Sequence, residues 1–209
     1  MNRSEHGFTI VELMISTVVL TTLLLLAGAT FTQISRLYYK GIITTKTQSV
    51  SRSVIDDISR DIQFSNGQKQ SGSGNGAEVL CIGQTRYTFV KNRQIKAGSP
   101  TQEHALWQDK LSSPGSCLAN IPNLFVASPG GSSGKELLEN NMRLKSFSVS
   151  ESNGIYSISI GVIYGDDDLL TFSSPPNSVP EGCKGDPNGS QWCAVSELST
   201  QIFSRVRVQ

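Results

Sequence analysis

Between Phe8 and Phe31 the chain carries a single ionisable side chain, Glu12, among residues such as Val18, Val19, Leu20, Leu23, Leu24, Leu25 and Leu26. About 24 residues make a helix of roughly 36 Å, and the hydrocarbon core of a bilayer is about 30 Å thick, so the run is long enough to span one. A charged residue at mid-membrane costs on the order of 2.5–3.5 kcal/mol, somewhat less near the interface. An acid in such a run therefore reads as functional, and it needs a partner.

Three readings of the run compete. An ordinary secretory signal would use Ala27-Gly28-Ala29 as its cleavage site, but its apolar region spans only about 7–15 residues. A plain single-pass anchor explains the length but not the residues at its start, Gly7-Phe8-Thr9-Ile10-Val11-Glu12-Leu13-Met14-Ile15-Ser16. That stretch resembles the processing site of type IV prepilins and type II secretion pseudopilins: a short polar leader, Gly, Phe, then Glu as the fifth mature residue. The resemblance implies that a prepilin peptidase cuts after Gly7 and methylates the new Phe8 amine, and that Glu12 takes part in assembly. It covers the first 40 residues or so closely. Beyond them the chain resembles a minor pilin or pseudopilin of the PilW or GspJ kind only through length and organisation. Many major pilins have a proline in the middle of the apolar half, where this chain reads Leu26-Ala27-Gly28-Ala29. That departure tilts the reading from a major subunit towards a minor pilin or pseudopilin.

The helical pattern does not stop at the membrane. Ile34, Leu37, Tyr38 and Ile42 keep helical spacing, and so do Val54, Ile58 and Ile62, with Ile55 beside them. Arg52–Asp56 and Asp56–Arg60 are spaced i, i+4 on the other side. No proline precedes Pro100, so a helix from Phe8 to about Phe64, roughly 85 Å long, is expected. Gly28, Gly41 and the weak helix formers Thr44-Thr45-Lys46-Thr47 are the places for a local bend. The second half is amphipathic and should dock on a globular domain.

That domain reads as β-rich. Asn66–Gly76 has loop composition. Strands are expected at Glu78–Ile82, Gln84–Lys91 and Gln94–Lys96, with a turn at Asn92-Arg93; Thr101–Leu111 fits strand or helix. Ser112–Ser133 reads as loop and Lys135–Asn140 as a helical turn. Met142–Ser150 alternates with one slip between Leu144 and Phe147, and Ile155–Tyr164 alternates more strictly, joined to it by Asn153-Gly154, a strong hairpin signal. Leu169–Phe172 is a short strand, Pro175–Cys193 a loop, and Ala194–Val208 a last strand. The expectation is an α+β pilin fold: leader 1–7, transmembrane and filament-core helix 8–31, amphipathic continuation 32–64, and a globular head 65–209 built on one antiparallel sheet.

With 18 Lys+Arg against 17 Asp+Glu, overall charge does not draw the chain to nucleic acid or anionic membrane. The flanking charges, Arg3 before the run and Arg36, Lys40 and Lys46 after it, favour a cytoplasmic C-terminal side. The processing site and the four cysteines override that and place the domain outside. Cys183 and Cys193 bound a short segment, Lys184–Trp192, that resembles the disulfide-bounded C-terminal loop of many type IV pilins; the other pair is then Cys81–Cys117. Zinc is the rival for these cysteines, but there is no CxxC and only His6 and His104 are available.

Asp166-Asp167-Asp168 and Asp186-Pro187-Asn188-Gly189 could offer oxygens to calcium, yet neither has the full calcium-loop pattern. Arg86, Tyr87, Phe89, Lys91, Arg93 and Lys96 form a basic, aromatic stretch of the kind a DNA-uptake pilin uses, although Arg86 and Tyr87 would lie on opposite faces of a strand. No nucleophile, phosphate-loop or dinucleotide motif occurs, and His104, in a polar loop, is expected to be exposed. The chain reads as a non-enzyme without a cofactor. Its expected partners are other pilin subunits, the prepilin peptidase, the membrane and a surface ligand, with DNA disfavoured. The resemblance implies a single-pass inner-membrane precursor, then an extracellular or periplasmic filament. The alternatives are a pseudopilin of a type II secretion system and a DNA-uptake or adhesive pilin.

Overall fold

The computed structural model describes residues 9–64, 69–96, 103–126, 129, 134–173, 179–185 and 190–205. The chain divides into two compact units, Met1–Tyr39 and Lys40–Gln209. One α-helix, α1 (Ile10–Phe64), contributes to both.

In the first unit, the most apolar 18-residue window of α1 has a mean hydropathy of 2.3 and none of it is buried. Such a surface suits lipid or neighbouring helices rather than water. Length and composition make this helix long and apolar enough to cross a membrane.

In the second unit α1 is amphipathic, as its periodicity predicts. Val50, Val54, Ile55, Ile58 and Ile62 are buried in a core with Leu80, Tyr87, Phe89, Leu106, Leu144, Phe147, Ile158 and Ile160. The Thr44–Thr47 stretch is helical: Thr47 Oγ1 donates to Ile43 O at 2.8 Å, and Ser51 Oγ to Thr47 O at 2.9 Å. The helical ion pair formed is Arg60 with Asp57 at 4.0 Å, rather than the expected Arg60 with Asp56; Lys135 also reaches Asp57, at 3.2 Å.

Three antiparallel sheets replace the single one expected. The first runs β1 (Lys69–Gly74), β2 (Ala77–Ile82), β3 (Thr85–Phe89), β4 (Leu106–Lys110), β5 (Lys135–Glu136), in that spatial order. The second has β7 (Ile155–Tyr164) between β10 (Ala194–Phe203) and β6 (Met142–Ser152). The third is the pair β8 (Leu170–Phe172) and β9 (Pro180–Cys183). Among the described residues an isolated bridge, Gln94↔Arg143, joins the segment after β3 to β6, so Gln94–Lys96 is a contact point and not a strand.

β1 corrects the loop expected at 66–76. Asn75 (φ 52°) and Gly76 (φ 74°) form a turn with both central residues left-handed, which matches strand twist and closes a hairpin. The Gly/Ser composition of β1 is explained by what lies on it: a Cβ at Gly72 would meet Leu118 at 2.5 Å, and one at Gly74 would meet Ile121 at 2.6 Å. Lys135–Asn140 begins as β5 rather than a helical turn, because Glu136 accepts from the N–H groups of Ala105, Leu106 and Leu138, each at 3.0 Å. β9 lies within the expected 175–193 loop.

The slip read between Leu144 and Phe147 is a β-bulge between Leu144 and Ser146. It sits opposite Gly161, where a Cβ would meet Ser146 Oγ at 2.6 Å. Lys145 Nζ thereby reaches Glu197 on β10 at 2.5 Å and Glu181 O at 2.7 Å. The Asn153-Gly154 turn is left-handed at both residues (φ 53° and 77°), as its sequence predicts.

Candidate functional site

Thr9 precedes the helix and Glu12 is its third residue, the T-x-x-E spacing of a capping box. Glu12 Oε2 accepts from Thr9 N–H at 3.1 Å and from Thr9 Oγ1 at 2.9 Å. Thr9 Oγ1 accepts in turn from Glu12 N–H at 3.3 Å, and Leu13 N–H reaches Thr9 O at 3.2 Å. The carboxylate also lies at the positive end of the helix dipole. Oε1 has no hydrogen-bond partner among the described residues. Gly7 and Phe8, the expected processing and methylation positions, lie outside the described residues.

The hydroxyls of the apolar half are closed on their own helix. Ser16 Oγ donates to Glu12 O, Thr17 Oγ1 to Met14 O, Thr21 Oγ1 to Val18 O and Thr22 Oγ1 to Val19 O, at 2.7–2.9 Å. Thr30 and Thr32 do the same to Ala27 O and Ala29 O. No hydroxyl donor there needs water, which is what a hydrocarbon environment demands.

Both disulfides lie in the second unit: Cys81–Cys117 and Cys183–Cys193. The first ties β2 to the segment below Leu118 and Ile121. The second bounds a segment held to α1 by Lys40, whose Nζ donates to Ser190 O at 3.0 Å and to Cys193 O. Burial lowers the Lys40 pKa from the ordinary lysine value. Farther along α1, Tyr87 Oη donates to Asp61 Oδ2 at 2.6 Å and accepts from Gln108 Nε2 at 3.2 Å. Burial foremost, then Asp61, raises the Tyr87 pKa strongly.

Most of the other sequence candidates are spent on structure. Arg86, expected in an open basic patch, is buried: its Nε and Nη2 reach Asp109 at 3.0 and 2.5 Å, and its Nη1 reaches Ala119 O at 2.9 Å. Lys91 pairs with Glu78 at 2.6 Å, and Arg93 lies 3.7 Å over the Phe125 ring. Asp167 is engaged by Arg143 at 2.6 Å and Asp166 by Gln94 at 2.7 Å. The Arg143 guanidinium thus already pairs with one of the three carboxylates of that turn. The rival turn Asp186–Gly189 lies outside the described residues. His104 is not exposed as expected; it is half-buried against Glu136 at 3.3 Å, edge-on to Trp107. Among the described residues no group of three or more His, Cys, Asp or Glu side chains could hold a metal ion.

What remains unspent is the exposed apolar helix and the box at its head. The prokaryotic N-terminal methylation motif matches residues 2–28. A type IV pilin-like or pseudopilin-like protein is what that motif supports, and an apolar N-terminal helix behind it fits a membrane-anchored precursor. No curated protein and no solved structure matches the chain. The methylation motif covers Glu12, the capping box and the apolar helix as far as Gly28. Within that pilin-like frame, prepilin peptidase and other pilin subunits are the implied partners.

Proposed function

We propose that this chain is a minor structural subunit of a type IV pilus-like filament. Prepilin peptidase cuts after Gly7 and methylates Phe8; residues 8–31 hold the product in the membrane until it is extracted; residues 32–64 carry the helix onto the 65–209 head. The observation that carries this reading is the coincidence of the methylation motif with a helix whose large apolar side chains from Ile10 to Phe31 are all exposed. Such a surface is stable in lipid before assembly and against other helices after it. Ser16 and Thr17, between Leu13 and Leu20, line a shallow groove with little side chain to hold a neighbouring helix away.

Glu12 is the assembly residue. One oxygen is committed to Thr9, and Oε1 accepts the methylated Phe8 amine, of its own chain or of the next subunit. At about 4 Å and an effective dielectric near 20, unit charges attract by roughly 4 kcal/mol before desolvation. That sum is comparable to the burial penalty, so the pair sets docking register more than it adds net stability. Sheared-filament fractions test the function. The protein should be in them, and should be absent from them in cells lacking prepilin peptidase. A protein that stays in the membrane fraction in both cases contradicts it.

A further inference from the structure

Tyrosine, tryptophan and the long cations mark where a spanning helix leaves a bilayer. On α1 they follow the apolar run closely: Arg36, Tyr38 and Tyr39 close the first unit, and Lys40 opens the second. Exposed apolar side chains do not stop at Phe31 either, since Ile34 and Leu37 lie among these polar residues. Such a mixture suits neither hydrocarbon nor bulk water. It is the composition found at the headgroup layer.

Lys40 carries that boundary into the second unit. It stands nine residues past Phe31 on the same helix, about 14 Å, of which the headgroup layer fills roughly 5–8 Å. Its Nζ donates to Ser190 O at 3.0 Å and to Cys193 O, which holds the 3-10 turn Ser190–Trp192 at the level of Lys40. Cys193 is buried and bonded to Cys183, so the turn is pinned twice. Yet Trp192, inside this pinned turn, is 44% exposed. The chain's other tryptophan, Trp107, is buried in a cluster with Ala77 and Leu124. A large indole left in water forgoes its burial gain, so a rigid turn that presents one has a surface to meet. From Ser190 to Ser196 no residue is charged, and nothing on that segment repels an anionic lipid surface.

We infer that Trp192 seats this turn in the headgroup layer of the bilayer that α1 crosses before assembly. The layer suits a side chain that is apolar in body and polar at one edge, and the Lys40 clamp sets its depth. This inference rests on the membrane-anchored stage proposed for the precursor. It adds a second contact with the bilayer, one that extraction into a filament must release.

The test uses the full chain, disulfides intact, in phosphatidylethanolamine and phosphatidylglycerol vesicles that carry nitroxide-labelled lipid. Trp107→Phe leaves Trp192 as the sole tryptophan emitter, and Trp192→Phe leaves Trp107 as the control. Nitroxide at the headgroup should quench Trp192 roughly two-fold more than nitroxide deep in the acyl chain, and should hardly touch Trp107. Should Trp107→Phe fail to fold, the difference between the unmodified chain and Trp192→Phe gives the same signal. Lys40→Met cannot hold the two carbonyls and should lose most of the Trp192 quenching; unchanged quenching would overturn the role given to the clamp. Flotation separates the remaining outcomes. A chain that floats with the vesicles, while Trp192 stays open to aqueous iodide and blind to both labels, overturns this inference alone. A chain that does not float overturns the membrane-anchored stage and this inference with it.

Discussion

Thr9 and Glu12 complete each other: the carboxylate takes the threonine's N–H and hydroxyl at 3.1 and 2.9 Å, and the threonine oxygen takes the glutamate's N–H at 3.3 Å. Glu12 therefore has a structural task before any neighbour arrives, and removing it changes two things at once. Glu12→Gln separates them, because glutamine keeps the capping box and loses only the charge. Both Glu12→Gln and Glu12→Leu should be cleaved and inserted normally and be depleted from filaments. Thr9→Ala should cost about 0.5–2 kcal/mol of helix-start stability with a smaller effect on incorporation. Normal incorporation of Glu12→Gln, measured in sheared filaments, would assign Glu12 to capping alone.

The two disulfides should differ in weight. Their sequence separations are 36 for Cys81–Cys117 and 10 for Cys183–Cys193. The chain-entropy relation gives about 4 kcal/mol for the first and somewhat under 3 kcal/mol for the second. Urea unfolding should therefore show the larger loss for Cys81→Ser/Cys117→Ser. Cys183→Ser/Cys193→Ser should instead speed hydrogen exchange around Lys40, whose carbonyl acceptors at Ser190 and Cys193 it sets loose.

Asp109 is the buried partner of Arg86, and Asp109→Ala leaves a guanidinium without a counter-charge in the interior. A loss of about 3–5 kcal/mol is expected. Arg86→Met/Asp109→Leu should recover most of it, since an apolar pair of similar volume needs no desolvation of charge. Denaturant midpoints of the three proteins decide the point.

Tyr87 gives a pH signature. Its pKa is raised in the folded protein, first by burial and then by Asp61, so the neutral phenol is the favoured form there. The associated stability is complete below the ordinary tyrosine pKa and is lost as pH rises past about 10, where only the unfolded chain ionises. The urea midpoint should fall more steeply above that pH for the unmodified protein than for Tyr87→Phe. Parallel curves would contradict the assignment.

Much of this architecture is legible in the residues. The run Val54, Ile58, Ile62 identifies the docking face of α1, Asn153-Gly154 fixes one hairpin, and the slip after Leu144 marks a bulge. What is not legible depends on partners distant in sequence. β1 is Gly/Ser-rich because Leu118 and Ile121 need its surface, and nothing local announces them. Arg86 looks like a surface cation until Asp109 is folded against it, and His104 looks exposed until Glu136 covers it. At the candidate site, Gly7, Phe8 and Glu12 stand out by spacing. The capping role of Thr9 was available in the same T-x-x-E signature and is hidden only by the stronger apolar signal around it.

Processing as a pilin-like subunit leaves a defined mature N-terminus. Mass spectrometry of the protein recovered from the cell surface or periplasm should find a chain that begins at Phe8, carries one methyl group on its amine and keeps the whole apolar helix. A chain beginning at Thr30, cut after Ala27-Gly28-Ala29, would contradict it and make the apolar run a secretory signal.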